Sequence, residues 1–334
     1  NMALRDNLLD DSRSLAEGIS QRWTQLTQLR RDQNLTIEQR VKDVNDLADE
    51  VARLNGEISR VISVGEQPND LLDKRDLALD QLAKLSGATS TLQANNEVVV
   101  SIGGHVLVTG NDALHLTTQP NPADTSVSQV VWEADPTHML NATSGELKGL
   151  LEVRDTTIPD LIDGLNQLAV NLRDQVNAIH ATGHGIDAAD STGLAFFTGT
   201  GASDIAVNAG LTAEQIGLSS ATAQNGNGDI ANAMLALRDS KVMNGGTNTL
   251  NEFYNGQVTR LGQKIKTVET NAYNHNLVSS ALGDQRESVA GVNLDEEAAS
   301  LVQYQRANQA AARIMTAYDE LLDLVINGMG VVGR

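Results

Sequence analysis

Residues 37–61 read IEQRVKDVNDLADEVARLNGEISRV, and this stretch decides the fold. Its apolar residues recur in steps of three and four, with charged residues between them: Ile37, Val41, Val44, Leu47, Val51, Leu54, Ile58 and Val61. This spacing is close to a strict heptad seam and predicts a long amphipathic helix that needs an apolar partner. Thr36 is predicted to cap the helix after a polar break at residues 32–34, with Gln39 completing a capping box.

Helical spacing continues on both sides of this seam. An earlier helix is indicated over residues 4–26, and a third one begins near Asn69 and ends at Gly87. The spacing returns over residues 144–179, where Pro159 is predicted to begin a new helix after a break. Two further amphipathic stretches, at residues 250–289 and 294–325, follow toward the end of the chain.

Strand-like sequence lies between the helical segments. Residues 98–108, VVVSIGGHVLV, predict a β-hairpin, because the two glycines supply the positive φ angles that a tight turn needs. Strands are also predicted at residues 113–117 and 127–133. The prolines at positions 120, 122 and 136 are expected in the connections between strands.

The predicted fold class is mainly α with β-rich insertions (α+β). Helices at opposite ends of a chain can cover their apolar stripes by pairing with each other. The pattern therefore favours a long, coiled-coil-like helical shaft built from both chain ends, with a β-rich outgrowth. Within that shaft, the seam of residues 37–61 is expected to pack against residues 250–289.

The same pattern predicts six segments. They are an N-terminal helical part of the shaft (1–86), a β-rich outgrowth (87–142), a long helix rejoining the shaft (143–182), a small Gly/Thr-rich β segment (183–222), a C-terminal helical part of the shaft (223–291) and a C-terminal assembly helix (292–334).

Composition excludes several classes of protein. The 24 Lys and Arg residues against 43 Asp and Glu residues give a net charge of −19, so nucleic acid and anionic membranes should repel the chain. The absence of cysteine excludes disulfides and thiol chemistry. No apolar run approaches the roughly 18 residues that span a bilayer. The first residues lack the pattern of a signal peptide, which predicts either a cytoplasmic protein or export without a signal.

One cluster could carry chemistry. His180, His184, Asp187 and Asp190 combine imidazoles and carboxylates, which suit zinc. The glycines at 183 and 185 make a helical pairing of the two histidines improbable, and no third ligand is fixed. We interpret the cluster as a polar turn after a helix. The sequence predicts no catalytic, cofactor-binding or metal-binding residue, and therefore no enzyme.

Three motifs carry a family resemblance. Residues 291–305, GVNLDEEAASLVQYQ, resemble the C-terminal segment shared by flagellar rod, hook and hook-associated proteins. Residues 68–76, PNDLLDKRD, and residues 145–155, GELKGLLEVRD, are similar to the FlgK family of flagellar hook-associated proteins. The resemblance extends over nearly the whole chain.

The resemblance implies a structural subunit of the bacterial flagellum at the junction between hook and filament. The implied partners are the hook protein, a second hook-associated protein, neighbouring copies in a ring and a cytoplasmic export chaperone. The implied location is extracellular, after type III export without a cleaved signal. Family members begin with an Asn-rich helical segment that pairs with the C-terminal helix, and this chain is expected to start after it.

The apolar stripe of the last helix is predicted to be the assembly and chaperone interface. It comprises Leu294, Leu301, Tyr304, Ala311, Ile314, Tyr318, Leu321 and Val325. The helix could instead fold back on the shaft. Alternative functions are another flagellar axial protein, such as a hook or flagellin-like subunit, or a secreted adhesin or metal-binding protein with its site near residues 180–190.

Overall fold

The computed structural model describes the backbone of residues 1–222, 226–290 and 294–328, and the side chains of 1–222, 226–288 and 298–316. The chain divides into two compact units, with the boundary after Val258. The α-helices are α1 (Met2–Ser63), α2 (Asn69–Ser86), α3 (Gly145–Glu152), α4 (Ile158–His180), α5 (Asp229–Ala236), α6 (Leu250–Ala290) and α7 (Leu294–Gly328). Among the described residues, no helix is long and apolar enough to cross a membrane.

Helix α1 runs without interruption for 62 residues, so the predicted break at residues 32–34 is wrong. Asn34 does not end the helix, because its side chain has partners at this position. Its amide donates to Glu38 Oε1 at 2.8 Å, and its oxygen accepts from the backbone N–H of Ser128 at 2.8 Å. The predicted cap at Thr36 is wrong too, since the Thr36 hydroxyl donates to the carbonyl of Asp32 inside the helix.

The seam of α1 is buried within the first unit. Its residues from Ile37 to Val51 lie in one core cluster with Leu82 of α2 and with Leu107 and Trp132 of the β-rich region. Within the first unit, α2 and the outgrowth therefore cover this part of the seam. The expected packing of the seam against residues 250–289 stays a prediction.

The outgrowth contains two antiparallel sheets. The first has the order β1-β2-β3-β4, formed by β1 (Thr89–Leu92), β2 (Val98–Ile102), β3 (His105–Thr109) and β4 (Asp112–Ala113). The second has the order β5-β6-β7, formed by β5 (Leu116–Asn121), β6 (Asp124–Trp132) and β7 (Asp135–Met139). The hairpin predicted at residues 98–108 is confirmed, and Gly103 and Gly104 turn it with φ angles of 56° and 89°.

Two of the three prolines lie in strands and not in connections. Pro120 is part of β5 and Pro136 is part of β7, while Pro122 lies in the turn after β5. Both strands are edges of the second sheet, with β6 between them. An edge strand tolerates proline because the missing N–H can face away from the neighbouring strand.

The outgrowth leaves and rejoins the helical part at one point. Gly87 ends α2 with φ of 68°, and Gly145 begins α3 with φ of 85°. The two glycines are in contact, since a Cβ on Gly145 would lie 2.4 Å from the Gly87 nitrogen. Only glycine fits both the positive φ and this backbone contact.

Helix α4 follows α3 through one turn of π-helix, Val153–Thr157. The predicted start near Pro159 agrees with α4, which begins at Ile158 with the proline in its first turn, but the predicted break before it is wrong, because helical backbone continues from α3 through the π-helix. A second core cluster then joins Leu9 and Ile19 of α1 to α4 and to the short strands β8 (Phe197–Thr198) and β9 (Ala206–Val207). The α1 helix therefore contributes its first third to one core and its second half to another.

Candidate assembly surfaces

The predicted interface on α7 is exposed wherever its side chains are described. Leu301 is 55% exposed, Tyr304 76% and Ile314 68%, and Ala311 is exposed as well. The side chains of Leu294, Tyr318, Leu321 and Val325 lie outside the described residues. The described half of the stripe therefore presents apolar surface to solvent, although its role as an interface remains a prediction.

Two exposed apolar residues of α7 were not predicted. Val302 and Met315 are also open to solvent, and each is next to a predicted residue, Leu301 or Ile314. The two apolar pairs are thirteen positions apart, which is not a whole number of helical turns, so they lie on different faces of α7. The exposed apolar surface of this helix is therefore wider than a single-residue stripe.

The second long helix, α6, carries a similar face. Beyond Val258, its predicted seam residues Ile265, Val268 and Leu282 are each at least half exposed. Leu277 and Val278 are exposed too. A helix with this much open apolar surface is typical of a chain that binds a partner in its working state.

The start of α6 lies in the first unit and borders an apolar groove. Phe253 is buried, and the backbone of Gly164 in α4 lies so close that a Cβ there would be 2.6 Å from Gln257 Nε2. The groove has a volume of about 500 Å³ and is open to solvent. Its apolar lining comes from α1, α4 and α6: Leu15, Ile19, Leu165, Leu168, Leu172, Leu250 and Tyr254.

A buried arginine orients the outgrowth on the helices. Arg154, in the π-helix, is 1% exposed. One of its terminal nitrogens donates to Asn34 Oδ1 and to the carbonyl of Ser128, both at 2.7 Å. Its other nitrogens bind the carboxylate of Asp155 at 2.8 and 2.9 Å. The arginine thus ties α1, β6 and the π-helix together.

A neighbouring ion pair strengthens this junction. Arg30 donates to the carbonyl of Arg154 at 3.0 Å and to Asp124 Oδ2 at 2.5 Å. Hydrogen bonds from Ser126 and from Arg30 lower the pKa of Asp124 to about 2. The turn between β5 and β6 is therefore anchored to α1 as a charged pair at neutral pH.

The motif of residues 68–76 contributes Arg75 to a second group of buried hydrogen bonds, which is centred on Asn55. Asn55 of α1 is fully buried, and its amide donates to the carbonyls of Val98 and Gly110 at 2.9 Å each. Its oxygen accepts from the N–H of Val98 and from Arg75, at 3.1 and 3.2 Å. Burial lowers the pKa of Arg75. The first sheet is thus fixed to α1 and α2 by polar contacts as well as by apolar packing.

The histidine cluster has a structural arrangement. His180 is buried; its Nδ1 lies 2.7 Å from the carbonyl of Leu194, and its Nε2 accepts from the N–H of Gly217 at 3.0 Å. These partners identify a neutral ring with the proton on Nδ1. Burial also lowers the pKa of His180. Both nitrogens that could bind a metal are engaged within the protein.

The other members of the cluster form separate contacts. His184 Nδ1 lies 3.0 Å from Asp190 Oδ2, while Asp187 accepts from the backbone and hydroxyl of Ser191. Across the described ranges, no three His, Asp or Glu side chains are grouped to hold a metal ion. The interpretation of this region as a polar turn agrees with these bonds.

Comparison with known proteins identifies relatives along the chain. The family model described as the flagellar hook-associated protein FlgK helical domain matches residues 1–197. A second family model, the C-terminal part of the flagellar basal body rod proteins FlgEFG, matches residues 285–328, which include the whole of α7.

Three curated relatives are each described as flagellar hook-associated protein 1. The protein of Salmonella typhimurium is 27% identical over 93% of this chain and 75% of its own length. That of Bacillus subtilis is 27% identical over 92% of this chain and 68% of its own length. That of Escherichia coli K12 is 25% identical over 93% of this chain and 75% of its own length.

A solved structure is similar as well. It is that of the flagellar hook junction protein FlgK from Burkholderia pseudomallei, with a TM-score of 0.55 and 31% sequence identity. The similarity covers 59% of this chain and 37% of that one. These comparisons favour the hook-associated proteins over the alternatives of a hook subunit, a flagellin or an adhesin.

Proposed function

Because this chain belongs to the family of flagellar hook-associated protein FlgK, we propose that it is a structural subunit of the flagellum at the junction between hook and filament. The observation that carries the proposal is the match of the FlgK helical domain to residues 1–197, which hold the whole of the first core cluster and half of the second. The family consists of structural flagellar proteins. We propose accordingly that the chain has no catalytic role.

The first unit supplies a rigid body for such a subunit. Two buried polar anchors, at Arg154 and Asn55, fix the outgrowth to α1 in addition to the apolar core. A subunit that bears load along a filament needs elements that do not shift relative to one another. A buried network of polar hydrogen bonds favours one arrangement over close alternatives.

Helices α6 and α7 supply the surfaces for contacts with other subunits. Their exposed apolar residues, such as Ile265 and Ile314, contribute to stability only when another surface covers them, because burial removes apolar area from water. The match of the rod-protein C-terminal model to α7 supports a role of this helix in axial assembly. The partners in this proposal are the hook protein, a second hook-associated protein and neighbouring copies in a ring.

Before assembly, the same stripe on α7 would bind a cytoplasmic export chaperone. An amphipathic helix that places an apolar face in a groove is a common mode of such recognition. As part of the flagellar axis, the protein works outside the cell. We propose that it reaches that location through the flagellar type III apparatus, without a cleaved signal.

The direct test is complementation. The chain is expressed in motile bacteria that lack their own junction subunit, and the filaments attached to cells are counted. We expect attachment to be restored, and Ile314→Asp to abolish it because the charge disrupts an apolar contact. Gln309→Asp, a change at an exposed polar position of the same helix, is the matched control. Wild-type chain that is exported while all filaments remain unattached contradicts the proposal.

A further inference from the structure

We propose that Asn244–Gly245 is a site of spontaneous deamidation that the fold singles out from the Asn–Gly pairs at Asn55, Asn227 and Asn255. Asn–Gly pairs are prone to this reaction because glycine has no Cβ to block the approach of its nitrogen to the asparagine side chain. The pair lies in an exposed turn between α5 and α6. Residues 244–246 all have positive φ angles, of 51°, 67° and 88°.

The turn leaves the reacting groups accessible. Met243 is buried and holds the turn closed through paired backbone hydrogen bonds with Asn248. Among the hydrogen bonds of the described residues, none engages the N–H of Gly245 or the side-chain oxygen of Asn244. The Asn244 amide nitrogen donates only to Asn248 Oδ1, at 3.0 Å. The fold therefore leaves the attacking nitrogen of Gly245 without a hydrogen bond, and it restrains the amide under attack only through the Asn244 nitrogen, which departs in the reaction.

Two other Asn–Gly pairs are protected by the fold. Asn55–Gly56 lies inside α1, and the Asn55 side chain is fully buried with four hydrogen bonds. Asn255–Gly256 lies inside α6, where the Gly256 N–H donates along the helix. In both pairs the glycine nitrogen must leave a helical hydrogen bond before it can react, so the reaction requires local opening.

A fourth pair, Asn227–Gly228, is intermediate. Its asparagine Oδ1 accepts from the backbone N–H of Asp229 at 3.2 Å, which restrains the carbonyl that the glycine nitrogen would attack. This pair is partly buried at the start of α5. We therefore expect it to react more slowly than Asn244 and faster than the pairs inside the helices.

The reaction balances without any added oxidant or reductant. The Gly245 nitrogen, losing its proton, attacks Cγ of Asn244, and the Cγ–Nδ2 bond breaks to release ammonia. The product is a five-membered succinimide. Water then opens the ring at one of its two carbonyls and yields aspartate or isoaspartate. Either product adds one negative charge to the turn, and isoaspartate also adds one methylene to the backbone, which would disturb the Met243–Asn248 pairing ahead of α6.

The test compares the three pairs within one molecule. The folded chain is incubated at neutral pH, and peptide mapping measures the mass gain of one unit and the isoaspartate content at each asparagine. We expect conversion at Asn244 to exceed that at Asn55 and Asn255 by at least about tenfold, because reaction in a helix requires opening. In denaturant the three rates should converge.

A variant and two outcomes complete the test. Asn244→Gln should remove the fast modification and leave the slow rates at Asn55 and Asn255 unchanged, since glutamine forms the larger ring slowly. Equal rates at the three pairs in folded protein would overturn the proposal. So would an Asn244 that reacts much more slowly in the folded chain than in denaturant.

Discussion

Arg154 donates a hydrogen bond of 2.7 Å to Asn34, a residue 120 positions earlier in the chain. Both side chains are at least nine-tenths buried. The bond explains how α1 passes through a polar stretch without a break, because the same asparagine also receives the backbone N–H of Ser128 from the outgrowth. This pair of residues thus keeps α1 continuous and also fixes the position of the second sheet on the helix.

Removing this arginine should destabilise the first unit. Arg154→Met leaves the carbonyl of Ser128 and the carboxylate of Asp155 without their charged donor. We expect the free energy of unfolding to fall by about 2–4 kcal/mol, measured by urea titration. Arg13→Met, at an exposed residue that pairs with Asp10 on the same helix as Asn34, should change it by less than about 1 kcal/mol. Similar losses in the two variants would contradict a special role of Arg154.

A charge in the α1 seam should be costly. Leu54 is completely buried, so Leu54→Asp places an unpaired carboxylate in the core and should destabilise the fold by about 3–5 kcal/mol. Leu35→Asp, at an exposed position of the same helix, is the control and should have little effect. The measurement is the melting temperature by circular dichroism. If Leu54→Asp melts with the wild type, the seam is not buried in solution.

The stability that the charged Asp124 side chain contributes should be lost at acid pH. The folded pKa of about 2 lies below the ordinary value of 3.8 for an unfolded chain, so the contribution of Asp124 to stability is present above the unfolded pKa and is lost as the pH falls through the folded pKa. Urea midpoints are compared between wild type and Asp124→Asn from neutral pH down to about pH 2. The gap between them should be largest at neutral pH and should close on acidification. A gap that is constant with pH would show that the charge of Asp124 contributes nothing.

His180 should behave as a structural residue. His180→Ala leaves the N–H of Gly217 and the carbonyl of Leu194 unpaired in the interior, which should cost about 1–3 kcal/mol. The lowered folded pKa means that the unfolded chain binds the proton more readily, so this contribution is lost as the pH falls below the unfolded value of about 6.5. Elemental analysis of protein purified without chelator provides the opposing outcome. Stoichiometric zinc that disappears in His184→Ala would establish a metal site here.

In the isolated subunit, the apolar stripe of α7 should remain unpacked. Most helical stability comes from packing an apolar face, so the backbone of residues 301–325 should exchange its amide hydrogens fast in a verified monomer. Strong protection there would show that the helix is already docked. Ile314→Asp should prevent chaperone binding in a pull-down and leave the melting temperature of the first unit unchanged, with Gln309→Asp as the control.

Local sequence patterns predicted which helices and strands form better than they predicted which residues from distant parts of the chain contact them. The heptad spacing after Ile37, the Gly103–Gly104 hairpin and the stop at Gly87 were all predictable, because each depends on residues close together in sequence. The break at residues 32–34 was predicted wrongly, because what keeps Asn34 helical comes from Ser128 and Arg154. Burial of the seam followed from its spacing, but an apolar stripe does not specify which surface covers it.

The same reasoning applies to the candidate surfaces. Exposed residues of α7 such as Ile314 were predicted from periodicity and terminal position. The structural roles of Arg154 and Asn55 were not predicted, although Arg154 lies in the motif of residues 145–155 and Asn55 lies in the seam of residues 37–61. Charged and amide residues are common on surfaces, and only the fold shows that these two are enclosed.

The contact between Gly87 and Gly145 makes the outgrowth an insertion that a different domain could replace. Both ends of the intervening chain meet at one place, so the helices are joined across that place whatever the length of the segment between. Lengthening a segment whose ends are already together costs only a slowly growing loop entropy. A foreign domain with adjacent termini could be grafted there and displayed on the subunit, provided that it also covered the apolar side of α1 and supplied hydrogen-bond partners for Asn34, Asn55 and Arg154.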